Sequence, residues 1–367
     1  MTAFHRWCLV ALGVVLGTGA VVAVRALPAH DEDVSAIDLL HRVEASHGAA
    51  YSGYVESLGS LQLPVTDRFT DVGALFGERT RMRVWWRGSD AWRVDKLLTA
   101  GETDLVHDAT GTTEWSYERS RAKRYRDPDI RLPRTADLLP PTLAHRVLED
   151  VDTGELTRLP ARRVAGVDAL GLRLAPLSPR SSIDHVDLWA DPATGIPLRL
   201  AVYGGDGGSA AFTTEFREFS AQTPGRSRTA FTPPPGADVT FDDVLDIADA
   251  ANQFADVVPP ARLAGLPLSS KARGAVGIYG AGLTQLMAIP LWDRAAEPLR
   301  EQLGATPGSR VLEEGTFVGV GPLGVLLTDL PGGGGWLVSG TVTEDTLRVA
   351  ARTLDQVARD QARGRER

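Results

Sequence analysis

The sequence has little of what builds a redox or metal site. It contains one cysteine in 367 residues, which excludes a disulfide framework and a cysteine-rich metal site. The seven histidines do not cluster at ligand spacing. Hydrophobic residues make up 43% of the chain, enough to bury a core without such staples. We therefore expect no metal and no cofactor.

Motifs of catalysis are also missing. The chain has no phosphate-binding P-loop, no nucleophile elbow, no paired-histidine zinc motif and no C-x-x-C. The glycine-rich stretch 274–282 has the wrong spacing for a nucleotide loop and lies between predicted strands, so its glycines are turn residues. The net charge is −8, which argues against a nucleic-acid partner. These absences predict a protein that is not an enzyme.

The N-terminus predicts the compartment. Residues 7–24 form an apolar run without a charged residue, and Arg6 precedes it. The run is close to the roughly 20 residues that span a bilayer, and a basic residue ahead of it is typical of an export signal. Small residues fit poorly at the potential cleavage positions. We interpret residues 1–27 as an N-terminal membrane anchor, with a cleaved signal peptide as the alternative, and place the body outside the cytoplasm.

The body begins with one helix and continues as strands. Val34, Ile37, Leu40 and Val43 recur at helical spacing, which predicts an amphipathic helix over residues 34–47. From Tyr51 onward, apolar residues alternate with polar ones, and short glycine-bearing turns separate the runs. Strands joined by such short turns are antiparallel, because a parallel crossover needs a dozen residues or more.

The clearest hairpin runs from Val186 to Leu200. Its loop holds Pro192, which presets the backbone for a turn, and Gly195, which can adopt the left-handed conformation that closes the loop. Pro197 lacks a main-chain donor, which predicts an edge strand or a solvent-facing position. The turn residues themselves are interpreted as scaffold.

Three stretches together resemble a known family. They are WRVD (92–95), EWSYERSRAKRYR (114–126) and DLWADPATGIPLRLAVY (187–203), the last with a D-x-x-T-G-[IL]-P-L-R pattern. They resemble the RseB/MucB group of extracytoplasmic sigma-factor regulators and their LolA/LolB-like lipoprotein-carrier relatives. The resemblance covers residue 34 to about 240, and more loosely the chain from about 262.

The resemblance implies an α+β fold. Its main part is a half-barrel, a curved antiparallel β-sheet wrapped over helices with an apolar cavity between them, and a smaller C-terminal α+β domain follows. We assign residues 34–240 to the half-barrel, 241–261 to a linker helix and 262–362 to the small domain. A Pro/Gly-rich stretch at 223–240 ends the predicted sheet. The predicted core of the small domain contains Trp336, Val338, Leu347 and Leu354.

Eight apolar side chains alternate onto faces that could line the cavity. A concave apolar surface of this kind stabilises an acyl chain by about 0.8 kcal/mol per buried methylene. Ordinary core packing is the alternative for each of them. The predicted cavity residues are Met82, Val84, Trp86, Trp92, Val94, Trp115, Leu188 and Leu198.

A basic stretch at 118–126 supplies the second candidate site. It predicts a contact with anionic lipid headgroups or with an acidic partner segment, and a solvated strand and turn is the alternative. The residues are Arg119, Arg121, Lys123, Arg124 and Arg126.

Two functions are compatible with the resemblance. The first is a membrane-anchored sensor or regulator that binds a lipid or lipoprotein acyl chain and contacts a membrane partner such as an anti-sigma factor. The second is a lipid or lipoprotein carrier of the cell envelope. A free carrier must leave the membrane and consists of the half-barrel alone, so the anchor and the second domain favour the regulator.

Overall fold

The computed structural model describes residues 28–59, 75–128, 130–205, 208–241, 247–254, 257–329 and 334–365. The predicted anchor at 1–27 lies outside this range. Within it, no helix combines the length and the apolar character that a bilayer crossing requires.

Most of the described strands belong to one large sheet. Its strands are β1 (Tyr51–Gly59), β2 (Arg79–Gly88), β3 (Ala91–Leu98), β4 (Gly101–Asp108), β5 (Gly111–Ser116), β6 (Arg121–Tyr125), β7 (Leu156–Val164), β8 (Val167–Leu174), β9 (Ile183–Ala190), β10 (Pro197–Gly204), β11 (Phe212–Ser220) and β12 (Asp238–Phe241). Their spatial order is β12-β6-β5-β4-β3-β2-β1-β11-β10-β9-β8-β7. Neighbours are antiparallel except β12, which pairs parallel to β6.

The large sheet is curved and does not close, so β12 and β7 are its edges. Pairing shifts register at Tyr54/Val55 and between Leu159 and Arg162, and such bulges bend and twist strands. One face is apolar, and the other bears charged residues in alternation with it. The predicted α+β fold with a curved antiparallel sheet is confirmed.

Two helices cover the apolar face, which we call the concave face. Helix α1 (Ala36–Ala45) begins at Ser35, whose hydroxyl accepts from the main-chain N–H of Asp38 at 3.0 Å. Helix α2 (Pro140–Leu148) follows a short 3₁₀ turn. The apolar stripe of α1 buries Leu39, Leu40 and Val43. The opposite face of the sheet is called the outer face below.

The 186–200 hairpin forms as predicted, with Gly195 at φ 73°. The edge position predicted from Pro197 is wrong, because β10 lies between β9 and β11. Pro197 is the first residue of β10, and the register shifts between Pro197 and Arg199. Proline is tolerated at both kinds of position, since a ladder donor is not required there.

The stretch 223–240, predicted to end the sheet, returns to it instead. It forms α3 (Arg226–Thr229) and then β12, which adds a strand beside β6. Helix α4 (Ile247–Phe254) follows, within the predicted linker helix.

The C-terminal part forms a second, smaller sheet. After the short pair β13 (Arg262–Leu263) and β14 (Leu266–Pro267) come β15 (Gly277–Ala281), β16 (Thr284–Leu291), α5 (Asp293–Ala305), β17 (Arg310–Leu312), β18 (Gly315–Val320), β19 (Leu323–Thr328), β20 (Gly335–Gly340) and α6 (Glu344–Arg365). The sheet order is β15-β16-β20-β19-β18-β17. Trp336, Val338, Leu347 and Leu354 share one buried cluster, as predicted.

The two sheets also contact each other. The main-chain N–H of Thr343 donates to the carbonyl of Arg180 at 2.8 Å. Leu283 belongs to the same buried cluster as Leu148 of α2. The C-terminal part therefore adds an apolar residue to the core of the large sheet, although it also has a buried cluster of its own.

Candidate functional site

The concave face brings most of the predicted cavity residues together. Six of the eight belong to one buried cluster, and cross-strand pairing explains why: Val84 lies opposite Val94, and Trp86 opposite Trp92. Directly opposed side chains of an antiparallel pair point to the same face. The six residues are Met82, Val84, Trp86, Trp92, Val94 and Leu198.

Leu188 occupies the neighbouring part of the same face. It is 1% exposed and belongs to the cluster that contains Leu39, Leu40 and Val43 of α1. Its cross-strand partners are Leu172 and Leu200. This part of the concave face therefore packs under α1.

Trp115 is the exception, because it lies on the outer face. It is opposite Asp104 on one side and Ala122 on the other. Its ring lies 5.5 Å from that of Phe231, which belongs to the segment after α3. The structure thus separates Trp115 from the other seven predicted residues.

An aromatic row that the sequence reasoning missed crosses the concave face. The rings of Tyr51, Trp86, Trp92 and His107 stack in that order, with centroids 5.8, 5.3 and 5.2 Å apart. The residues are direct cross-strand partners on β1 to β4. Trp86 and His107 are only half-buried, so two members of this row remain partly accessible. The alternation along β2 and β3 predicts that Trp86 and Trp92 share a face. No local pattern predicts that Tyr51 and His107 stack on them.

Burial changes the acid–base chemistry at both ends of the row. It raises the pKa of Tyr51 well above the usual range of a phenol. It lowers the pKa of His107, whose Nδ1 lies 2.9 Å from the hydroxyl of Thr112. Both rings therefore stay neutral at neutral pH, whereas the guanidinium of Arg134 lies 5.2 Å from the ring of Trp92 in the same row.

The basic stretch lies at the β12 edge of the sheet. Arg121 pairs with Asp238 of β12 at 2.8 Å, and Arg124 lies 3.5 Å from Asp108. Lys123 is half-buried on β6. Arg119 and Arg126 are exposed. Two of the five predicted contact residues, Arg121 and Arg124, are therefore already engaged in intramolecular ion pairs.

A buried ion-pair group on the outer face was not predicted. Arg93 donates to Asp95 at 2.6 Å and to Asp104 at 2.7 Å, and both carboxylates are buried. Burial, with the negative charge of Asp95 as the next cause, raises the pKa of Asp104 to about 7. Glu102 brings a third carboxylate within 4.8 Å. Arg93 supplies the positive charge of this group, so we assign it as an ion-pair cluster.

The segment that contains α3 crosses over this cluster. Arg228 lies 5.8 Å from the ring of Trp85, and Arg93 lies 5.7 Å from the same ring. Arg87 donates to the carbonyl of Pro224. The segment thereby excludes water from charged residues on a face that would otherwise be solvated.

The fold and site define a class: an unclosed antiparallel half-barrel with an apolar concave face under helices. No family model and no curated protein matches the sequence. Among solved structures, the chain is similar to MucB in complex with MucA(peri), at 18% identity and a TM-score of 0.46, over 86% of this chain and 97% of the other.

Two further solved structures extend the comparison. For the Pseudomonas aeruginosa MucA/MucB complex, identity is 19% and the TM-score 0.47, over 86% of this chain and 96% of the other. The LolA superfamily protein NE2245 from Nitrosomonas europaea matches at 12% identity and a TM-score of 0.24, over 54% of this chain and 98% of the other. The resemblance to both groups is confirmed as a likeness of fold.

Proposed function

We propose that the protein is a non-enzymatic, extracytoplasmic regulator, anchored in the cell membrane, that binds the acyl chain of a lipid or lipoprotein on its concave face. The observation that carries this proposal is the broad apolar face of an unclosed sheet, which α1, α2 and the short turn before α2 cover together with Leu283 of the C-terminal part. The family resemblance of the 187–203 stretch agrees with it. A lipid or lipoprotein carrier is the alternative.

Helix α1 is the element that an acyl chain can replace. Burying Leu39, Leu40 and Val43 contributes roughly 5–9 kcal/mol, at about 1.5–3 kcal/mol for each side chain. A buried hexadecanoyl chain contributes roughly 12 kcal/mol and an octanoyl chain roughly 5 kcal/mol, at about 0.8 kcal/mol per methylene. A long chain therefore exceeds the whole range for α1 packing, whereas a short chain reaches only its lower end.

We expect the ectodomain to take up a fluorescent hexadecanoate analogue but not an octanoate analogue. Leu40→Ala should increase uptake several-fold, because it weakens α1 packing without changing the sheet. Ile37→Ala is the matched control, since Ile37 lies on the same helix and is 44% exposed. Val84→Asp should abolish uptake, because its carboxylate would be buried without a partner.

Circular dichroism must show that each of these variants is folded. A folded wild type that takes up neither analogue would count against lipid binding. If Leu40→Ala instead reduces uptake, the ligand binds with α1 in place.

The regulator requires a membrane partner, which we propose to be an anti-sigma factor or another envelope protein. MucB, to which the chain is similar, was solved in complex with MucA(peri). We assign the small domain at 262–362 to partner contact and the half-barrel at 34–240 to lipid binding. The basic residues Arg119 and Arg126 are exposed and suit an acidic segment or lipid headgroups.

Membrane retention distinguishes the regulator from the carrier. Because residues 7–24 are apolar and the cleavage positions are poor, we expect the mature protein to fractionate with membranes and to keep its N-terminal segment. Cell fractionation followed by N-terminal sequencing measures this. A soluble mature chain that begins near residue 27–30 would exclude the anchor, leave export intact and favour the carrier.

A further inference from the structure

The strand β12 has an open main-chain edge within the part of the chain that the structure describes. It is the last strand of the large sheet there, and it pairs with β6 on one side. The main-chain N–H of Asp238 donates to the main-chain carbonyl of Ser120, the residue before β6, at 2.9 Å. Because main-chain groups of successive strand residues alternate in direction, those of Val239 and Phe241 point away from β6. An open edge of this kind is a template for another strand.

The side chains on this edge are apolar and exposed. Phe241 is 77% exposed and Val239 is 44% exposed. Both share the outer face with their neighbours Ala122 and Arg124 on β6. Beside them is a cavity of about 330 Å³, at the lower end of the size range of ligand pockets. Its lining includes Phe231 and Pro234 beside Val239 and Phe241, together with the paired side chains of Asp108 and Arg124.

Positive charge flanks the edge. Arg119 precedes β6 and Arg126 follows it, so one exposed arginine lies near each end of the strand beside β12. Among the residues that the structure describes, neither has an ion pair within 4.0 Å. Asp238 on β12 is already paired with Arg121, and Asp242 and Asp243 directly follow Phe241 in the sequence. The cation that a segment along β12 would meet therefore lies near the Arg119 end, where it favours an acidic residue of the segment.

We propose that β12 is a docking edge for an extended, acidic segment of a partner polypeptide, which adds a strand to the large sheet and places an apolar side chain in the cavity. Main-chain pairing supplies affinity, and the pocket for alternate side chains supplies specificity. The proposal rests on the proposed function in that the segment belongs to the membrane partner. It does not depend on lipid binding.

A synthetic capped peptide that alternates valine with glutamate tests the pairing, with the full-length protein in detergent. Fluorescence anisotropy of the labelled peptide should show saturable binding that weakens as salt is raised. Two analogues carry N-methyl groups, one on every valine and the other on every glutamate. Because the valines must face the cavity side, only one of these two sets of N–H groups can point at β12. We expect the affinity of one analogue to fall at least tenfold, whereas the other analogue should bind as the parent peptide does.

Phe241→Ser should lower the affinity for the parent peptide at least tenfold, because it removes the largest apolar contact. Val311→Ser is the matched control: Val311 is 84% exposed on β17, the edge strand of the smaller sheet, and its loss should leave binding unchanged. The proposal is wrong if the wild type does not bind, if both analogues bind like the parent, or if Phe241→Ser binds equally well.

Self-association is the competing occupancy of this edge. A concentration-dependent dimer in sedimentation that Phe241→Ser abolishes would assign the edge to a second copy of the chain and overturn the partner proposal. Hexadecanoate uptake by Phe241→Ser should equal that of the wild type. Absence of uptake in the wild type would count against lipid binding alone, and would leave the peptide result standing.

Discussion

Replacing Asp104 with asparagine is expected to raise the free energy of unfolding at pH 8, although this carboxylate is buried and accepts a hydrogen bond from Arg93. Asp104 is 2% exposed, and Arg93 must serve Asp95 as well. The Oδ1 atom of Asp104 has no hydrogen-bond partner among the described residues. An asparagine keeps an oxygen acceptor for Arg93 and removes the second buried negative charge.

The pH dependence has a defined sign. Burial raises the pKa of Asp104 to about 7 in the folded protein, against about 3.9 in an unfolded chain. Between these values the folded state binds more protons, so the free energy of unfolding falls as pH rises from about 4 to about 7 and is flat above that range. A difference of about three pKa units corresponds to at most about 4 kcal/mol. Asp104→Asn should remove this decrease in the free energy of unfolding between about pH 4 and about pH 7.

Urea denaturation at pH 5 and pH 8, followed by tryptophan fluorescence, measures the effect. Asp108→Asn is the control, because Asp108 is exposed at the end of the same strand and accepts from the N–H of Thr110 at 2.8 Å. That variant should not gain stability at pH 8. If Asp104→Asn is less stable than the wild type at pH 8, the ionised Arg93–Asp104 pair stabilises the fold and our assignment of its pKa is wrong.

The same cluster shows where sequence reasoning reaches its limit. Arg93 and Asp95 alternate with apolar residues along β3, a pattern typical of a half-solvated strand. Their burial comes from the 224–231 segment, which is joined to them by contacts such as Arg87 to Pro224. Such contacts between distant parts of the chain leave no local signal.

Alternation predicted the concave face well within each hairpin and failed across several turns. Val84 and Val94 face each other across one tight turn, so their common face follows from the turn alone. Trp115 lies opposite Asp104, whereas Trp92 lies opposite His107. Asp104 and His107 are three positions apart, an odd number, so Trp115 points to the other face. Only the register of β3, β4 and β5 provides that information.

The strand β12 could not be predicted for a different reason. Its four residues follow a run rich in proline and glycine, which is typical of a linker. It is a strand because it pairs with β6, more than a hundred positions earlier in the chain. Four alternating residues are too few to distinguish a strand from a loop.

The loop of the 186–200 hairpin holds α1 in place, and Gly195 is the residue on which this contact depends. Its φ is 73°, a conformation that glycine adopts without the cost other residues incur. A Cβ atom at this position would lie 2.1 Å from the carbonyl oxygen of Arg42 and 2.6 Å from its carbonyl carbon. Both atoms are main chain of α1, so no side-chain rotation can relieve the clash. Arg42 also donates to the carbonyl of Pro192 at 3.4 Å.

Gly195→Ala is therefore expected to destabilise the protein by at least about 3 kcal/mol: about 1–2 kcal/mol for the left-handed backbone, and more because α1 must move and expose Leu39, Leu40 or Val43. Gly166→Ala is the matched control. Gly166 has a φ of 82° in the β7–β8 turn, and a Cβ there would meet nothing within 4 Å, so only the cost of about 1–2 kcal/mol for the backbone applies. Urea denaturation of both variants measures the difference, and equal losses would mean that the hairpin does not hold α1. Because the expected defect is a displaced α1, the proposed acyl-chain binding predicts that folded Gly195→Ala takes up more hexadecanoate than Gly166→Ala.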